Sequence, residues 1–107
     1  AHKQFQKKNN INFKKGMVVS NEPGYYQKNK FGIRIENLIY VKKYKKKLMF
    51  ENLTLAPIDK NLIQLSILKK YEKFWINMYH KKVFNSLKSY MNFSELRDLK
   101  KACSAIV

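Results

Sequence analysis

Apolar and polar positions alternate along the first half of the chain and recur at spacings of three and four along the second. The clearest alternation runs from Phe31 to Val41. There Ile33, Ile35, Asn37, Ile39 and Val41 interleave with Gly32, Arg34, Glu36, Leu38 and Tyr40, the period of a strand with two unlike faces. A shorter strand is predicted from Met17 to Glu22. Pro23-Gly24 after it reads as a turn, since Pro fixes φ and lacks a donor while Gly tolerates positive φ. Gln27-Lys28-Asn29-Lys30 reads as the tip of the connection, so the first two strands can pair as a hairpin. Leu48 to Leu55, closed by Ala56-Pro57, is a third candidate strand and completes an antiparallel meander.

Beyond this the period changes. Tyr71, Phe74, Trp75, Met78, Tyr79, Phe84, Leu87 and Met91 mark an amphipathic helix over roughly 69–91. Ser94 is the expected N-cap of a last short helix, with Glu95 and Asp98 near its positive end. Residues 1–15 are polar and basic, with Phe5, Ile11 and Phe13 as the apolar exceptions, and form a separate opening segment. Strands first and helices after is the order of an α+β domain.

The chain has 107 residues, enough for one modest domain or a piece of a larger one. A lone Cys103 excludes an internal disulfide, and no apolar run approaches the roughly 20 residues of a membrane span. No basic-then-apolar leader precedes the strands, so a soluble, cytoplasmic protein is expected. A first residue of Ala1 in place of Met suggests an excised or processed fragment.

Charge changes this picture less than its size suggests. Lys and Arg number 23 against 7 Asp and Glu, a formal charge of +16. Only Arg34 and Arg97 are arginines, and Lys is the poorer bidentate reader of base edges. The Lys residues are spread from Lys3 to Lys101, and the densest run, Lys42 to Lys47, reads as a charged hairpin loop. The balance argues for a solvated surface and against a nucleic-acid partner.

The acids are more informative. Two of the seven lie in the most strand-like stretches, Glu22 at the end of the first strand and Glu36 within the second. Arg34 and Glu36 are two apart and leave one strand on the same face, and a hairpin brings Glu22 within reach of it. Carboxylates that meet on a largely buried surface need a cation. Arg34 can be that cation, with Glu22 solvated at a turn, or one or two metal ions can be. The histidines are His2 and His80, and His80, next to Tyr79 in the long helix, reads as a packing residue.

Gly16-Met17-Val18-Val19-Ser20-Asn21-Glu22-Pro23-Gly24-Tyr25-Tyr26, read with Lys30-Phe31-Gly32-Ile33-Arg34-Ile35-Glu36-Asn37, closely resembles aminopeptidase P of the creatinase, prolidase and methionine aminopeptidase superfamily. Phe50 to Asp59 and Trp75-Ile76-Asn77-Met78-Tyr79-His80 are similar to the segments that follow in those enzymes. The resemblance covers residues 15–87, in order. It implies the C-terminal portion of a pita-bread fold, antiparallel strands followed by C-terminal helices. It also implies a dinuclear metallopeptidase that hydrolyses the bond between an N-terminal residue and a following proline, with manganese the expected metal. Carried over residue by residue, Glu22 is a ligand of one metal and the proton shuttle, and Glu36 bridges both metals. Arg34 stands beside the site and orients it, and Tyr26 lines it.

The two Asp and one His ligands of the family lie upstream of Glu22, and nothing here matches them. Asp59 and Asp98 are downstream, and His2 is followed by Lys3-Gln4-Phe5 where the family has Glu-Gly. Two of five ligands do not hold a metal pair, so residues 16–107 read as the incomplete C-terminal part of a catalytic domain, inactive alone and exposing strand faces. The resemblance further implies peptide substrates and a homodimeric full-length enzyme. Two alternatives stand beside it, a prolidase-type dipeptidase and an inactive pita-bread relative that binds nucleic acid or protein.

Overall fold

The computed structural model describes residues 11–107. His2 and most of the basic opening segment lie outside the described residues. The chain divides into two compact units between Thr54 and Leu55, one of strands and one of helices.

The strand unit is built on a long two-stranded ribbon. One arm holds β1 (Val18–Asn21) and β2 (Gly24–Gln27), and the returning arm holds β3 (Phe31–Arg34) and β4 (Asn37–Tyr44). The single strand expected over Phe31 to Val41 is therefore two, interrupted at Ile35-Glu36. Pro23-Gly24 does not reverse the chain as expected. Pro23 has no N–H to give to the ladder, so pairing lapses there, but Tyr25 pairs again with Ile33 beyond it. The reversal comes at Gln27–Lys30, the expected tip, where Lys30 N–H reaches Gln27 O at 3.0 Å and Asn29 takes φ 59°. Asn is among the few side chains that tolerate this region.

β4 then pairs with β5 (Lys47–Asn52), giving a sheet in the order β1-β4-β5 beside the two-stranded β2-β3. The Lys-rich run is loop only at Lys45-Lys46. Lys42, Lys43 and Tyr44 belong to β4 and Lys47 to β5, and Lys42 forms an ion pair with Glu51. Val41 is the buried hydrophobic residue among the described residues of this unit. Tyr25, Phe31, Ile33, Leu48 and Phe50 are exposed, the open strand faces that the sequence led us to expect.

In the helical unit, α1 (Lys70–Leu87) fulfils the helical period and continues as a 3-10 turn over Lys88–Tyr90. Its first turn is closed by the Glu72 carboxylate, which accepts from Lys69 N–H at 2.8 Å. α2 (Phe93–Ala102) starts two residues earlier than expected, because its cap is Asn92 and not Ser94. Asn92 Oδ1 accepts from Glu95 N–H, and Glu95 accepts from Asn92 N–H, each at 2.9 Å. Tyr79, Val83 and Leu99 form the core, joined by Leu55, Ile58, Phe84, Leu87, Met91 and Cys103. No helix among the described residues is long and apolar enough to cross a membrane.

Candidate active site

The lapse in the ribbon is where the singled-out residues collect. The β1-β4 and β2-β3 ladders share one register: Asn21 pairs with Asn37 on one side of the lapse and Gly24 with Arg34 on the other. Two residues separate these pairs on each arm, so Glu22 comes to lie across from Glu36 and Pro23 across from Ile35. A bond from Ile35 N–H to Pro23 O at 3.2 Å keeps the arms together through the gap. Like charges directly opposite one another destabilise a ribbon unless a cation offsets them.

Arg34 is that cation among the described residues. Its Nε lies 3.7 Å from Glu36 Oε2, so the expected ion pair is present. The Arg34 pKa stands above its ordinary value, first through the Tyr26 hydroxyl, then through the negative charges of Glu36 and Glu22. The four residues predicted for the site, Glu22, Tyr26, Arg34 and Glu36, thus lie on one stretch of ribbon. Glu22 is half-buried beside the lapse, not solvated at a chain reversal.

Other acids have local work. Glu51 pairs with Lys42 and accepts from the Tyr40 hydroxyl at 3.1 Å. Asp59 accepts from Asn61 N–H at a 3-10 turn, and Glu72 and Glu95 close the first turns of α1 and α2. Glu36 pairs instead with Arg34, on the stretch of ribbon where Glu22 also stands. No group of three or more His, Cys, Asp or Glu side chains that could hold a metal ion occurs among the described residues.

The Trp75-to-His80 stretch performs a different task within the helical unit. The Tyr79 hydroxyl donates to Ala56 O at 2.7 Å, and His80 Nε2 accepts from Ile58 N–H at 3.0 Å. Asn77 pairs with the Ile106 backbone in both directions, at 2.9 and 2.8 Å. Trp75 stacks on Tyr79 with 5.4 Å between ring centroids. These side chains close the hydrogen bonds of extended segments that no sheet serves. His80 is fully buried as expected, but only half satisfied, because Nδ1 has no hydrogen-bond partner.

Comparison with known proteins gives the family. The profile of metallopeptidase family M24 matches residues 1–43, and that of the C-terminal region of peptidase M24 matches residues 46–106. A protein of Laccaria bicolor named "Probable Xaa-Pro aminopeptidase P" is 40% identical over 92% of the chain and 17% of its own length. One of the same name from Pyrenophora tritici-repentis is 46% identical over 70% of the chain and 14% of its own length. The crystal structure of X-prolyl aminopeptidase from Caenorhabditis elegans, described as a cytosolic enzyme with a di-nuclear active site, superimposes with a TM-score of 0.71 and 36% identity. It covers 83% of this chain, which covers 16% of it. The chain therefore spans about a sixth of the length of the relatives it matches. In sequence and fold it corresponds to the C-terminal part of an aminopeptidase P catalytic domain, and it belongs to metallopeptidase family M24.

Proposed function

We propose that the chain supplies the C-terminal part of the active centre of a metal-dependent Xaa-Pro aminopeptidase, which hydrolyses the bond between an N-terminal residue and a following proline. The observation that carries this reading is the convergence of Glu22, Glu36 and Arg34 on one lapse in the ribbon, in a chain with few acids. Kinship with proteins named as Xaa-Pro aminopeptidases supports the substrate class. The same kinship supports residues 16–107 as the C-terminal part of the catalytic domain, and a cytoplasmic location.

The donor set fits a metal pair in part. Facing carboxylates are hard oxygen donors suited to manganese and similar divalent ions, and a cation between them offsets their repulsion. They are too few to fill a coordination shell, so other residues must complete it. Glu22 would hold one metal and Glu36 would bridge two. When bound, the pair supplies a water of lowered pKa and a polarised scissile carbonyl.

This chain's own side chains do the remaining work. The Glu22 carboxylate takes the proton of the attacking water and hands it to the leaving amine. Arg34, 3.7 Å from Glu36 Oε2, offsets the charge of that carboxylate and fixes its direction. The Tyr26 hydroxyl acts on Arg34 as well. The full-length enzyme is taken to be a homodimer.

The test is a chimera of the Caenorhabditis elegans X-prolyl aminopeptidase in which this chain replaces the matching segment. It should bind about two divalent ions per chain and release the first residue of an Xaa-Pro peptide only when loaded. Glu36→Gln should lower both metal content and turnover, the latter by more than the roughly hundredfold that outer-shell changes cause. Unchanged turnover with two bound ions in Glu36→Gln would remove the bridging assignment.

A further inference from the structure

Gly24 and Gly32 share a face of the β2-β3 ribbon with Tyr26 and Arg34. Gly32 lies directly across from Tyr26, and Gly24 directly across from Arg34. Neither has a backbone angle that calls for glycine; the glycine in the left-handed region is Gly16, at φ 89°. The reason for glycine lies above the backbone. A β-carbon added at Gly32 would come within 2.6 Å of Tyr26 Cδ1. One added at Gly24 would come within 2.7 Å of the Tyr26 hydroxyl oxygen and 2.8 Å of Cε2. The ring therefore lies across the ribbon, from Gly32 near its root to Gly24 at its hydroxyl, in space that any other residue would fill. Because Gly24 faces Arg34, this posture carries the hydroxyl to Arg34's position on the ladder.

We propose that Gly24 and Gly32 are positioning residues of the active centre, forming a cradle that lays the Tyr26 ring across the ribbon so that its hydroxyl fixes Arg34 beside Glu36 and Glu22. The functional side of this inference rests on the active-centre assignment made above, and it adds what holds Tyr26 in place. Tyr26 is 64% exposed, so little burial holds its ring. A β-carbon beneath it is relieved by a swing of the ring into solvent, not by a shift of backbone. Alanine at either glycine should leave the fold nearly as stable and disconnect Tyr26 from Arg34. A glycine needed only by the backbone would do the opposite.

The experiment is NMR on the whole chain with labelled Gly and Arg. A ring lying over Gly32 shifts its Hα upfield, and Tyr26→Ala should abolish that shift. Gly32→Ala and Gly24→Ala should each speed exchange of the Arg34 Nε–H by roughly five- to tenfold, the effect of losing one hydrogen bond. Tyr26→Phe should match them, and Gly32→Ala combined with Tyr26→Phe should be no faster than Tyr26→Phe alone. An unshifted Gly32 Hα, or Arg34 exchange that none of these substitutions alters, overturns the proposal. If Gly32→Ala unfolds the chain, Gly32→Ala with Tyr26→Ala decides the matter: a folded double variant identifies the ring as the clash, and an unfolded one makes the glycine structural and overturns the cradle. None of these readouts needs metal or substrate. Their failure is thus distinct from failure of the aminopeptidase reading, which the Glu36→Gln chimera tests.

Discussion

The strand unit and the helical unit are held in shape by different means. Among its described residues the strand unit buries one hydrophobic residue, Val41, and it owes its geometry to ladder register, to turns with positive φ at Asn29 and Lys45, and to a proline that interrupts pairing. The helical unit buries Ile76, Tyr79, His80, Val83 and Leu99 and ties its extended segments down through side chains. The proposed chemistry lies in the unit with almost no core. Register fixes where its charged groups stand without the constraint of packing, so those groups are free to bind and move protons. Substitutions in the ribbon should therefore register in function, and substitutions in the helical unit in stability.

The largest effect that sharpens this contrast is expected at Val83, which is 0% exposed at the centre of the helical core. Val83→Ala removes two methyl groups from a site lined by Tyr79 and Leu99 and should cost about 2 kcal/mol in urea unfolding. Glu36→Gln, which the proposed chemistry makes ruinous for turnover, should leave the same unfolding midpoint in place. A Val83→Ala chain as stable as its parent would break the contrast from the helical side. Next in size is Tyr79→Phe. It keeps the ring stacked on Trp75 but strands the Ala56 carbonyl, at a cost of about 1–2 kcal/mol by thermal unfolding. A null result there would mean that water serves that carbonyl equally well.

Local periodicity carried most of the fold. The ribbon tip at Gln27–Lys30, the start of α1 and the pairing of the strands follow from patterns within a few residues. The misreading at Pro23-Gly24 depends on partners distant in sequence, and that at Ser94 does not. Pro23-Gly24 has the same local signature whether the chain reverses or merely skips a ladder bond. What separates the two is Tyr25 meeting Ile33. Asn92 and Ser94 are both good caps, but only Asn92 has a carboxylate three positions on, Glu95, to return the bond, a signal that was present in the sequence. The Arg34–Glu36 pairing was legible from its spacing of two. Glu22 opposite Glu36 required the two ladders to share a register, and the cradle beneath Tyr26 required knowing that Gly32 is its cross-strand neighbour.

The smallest predicted effect distinguishes the helical unit by its response to acid. His80 Nε2 accepts from Ile58 N–H, so the neutral ring carries its proton on Nδ1, and a second proton would set one donor against another. Burial, reinforced by the positive charge of Lys60, lowers the His80 pKa from its ordinary 6.5. The unfolded chain thus takes up a proton near pH 6.5 that the folded chain refuses. The associated stability is fully present above that pH and is lost as pH falls from it toward the depressed folded value. For a folded ring that stays neutral, the loss reaches about 0.8 kcal/mol at pH 6 and steepens toward about 1.4 kcal/mol per pH unit below. Urea midpoints at pH 7.5, 6.5 and 5.5 should show this decline, and His80→Gln, which cannot titrate, should flatten it while lowering stability throughout. A decline that survives His80→Gln would assign the acid sensitivity to other groups and leave the buried imidazole a packing element alone.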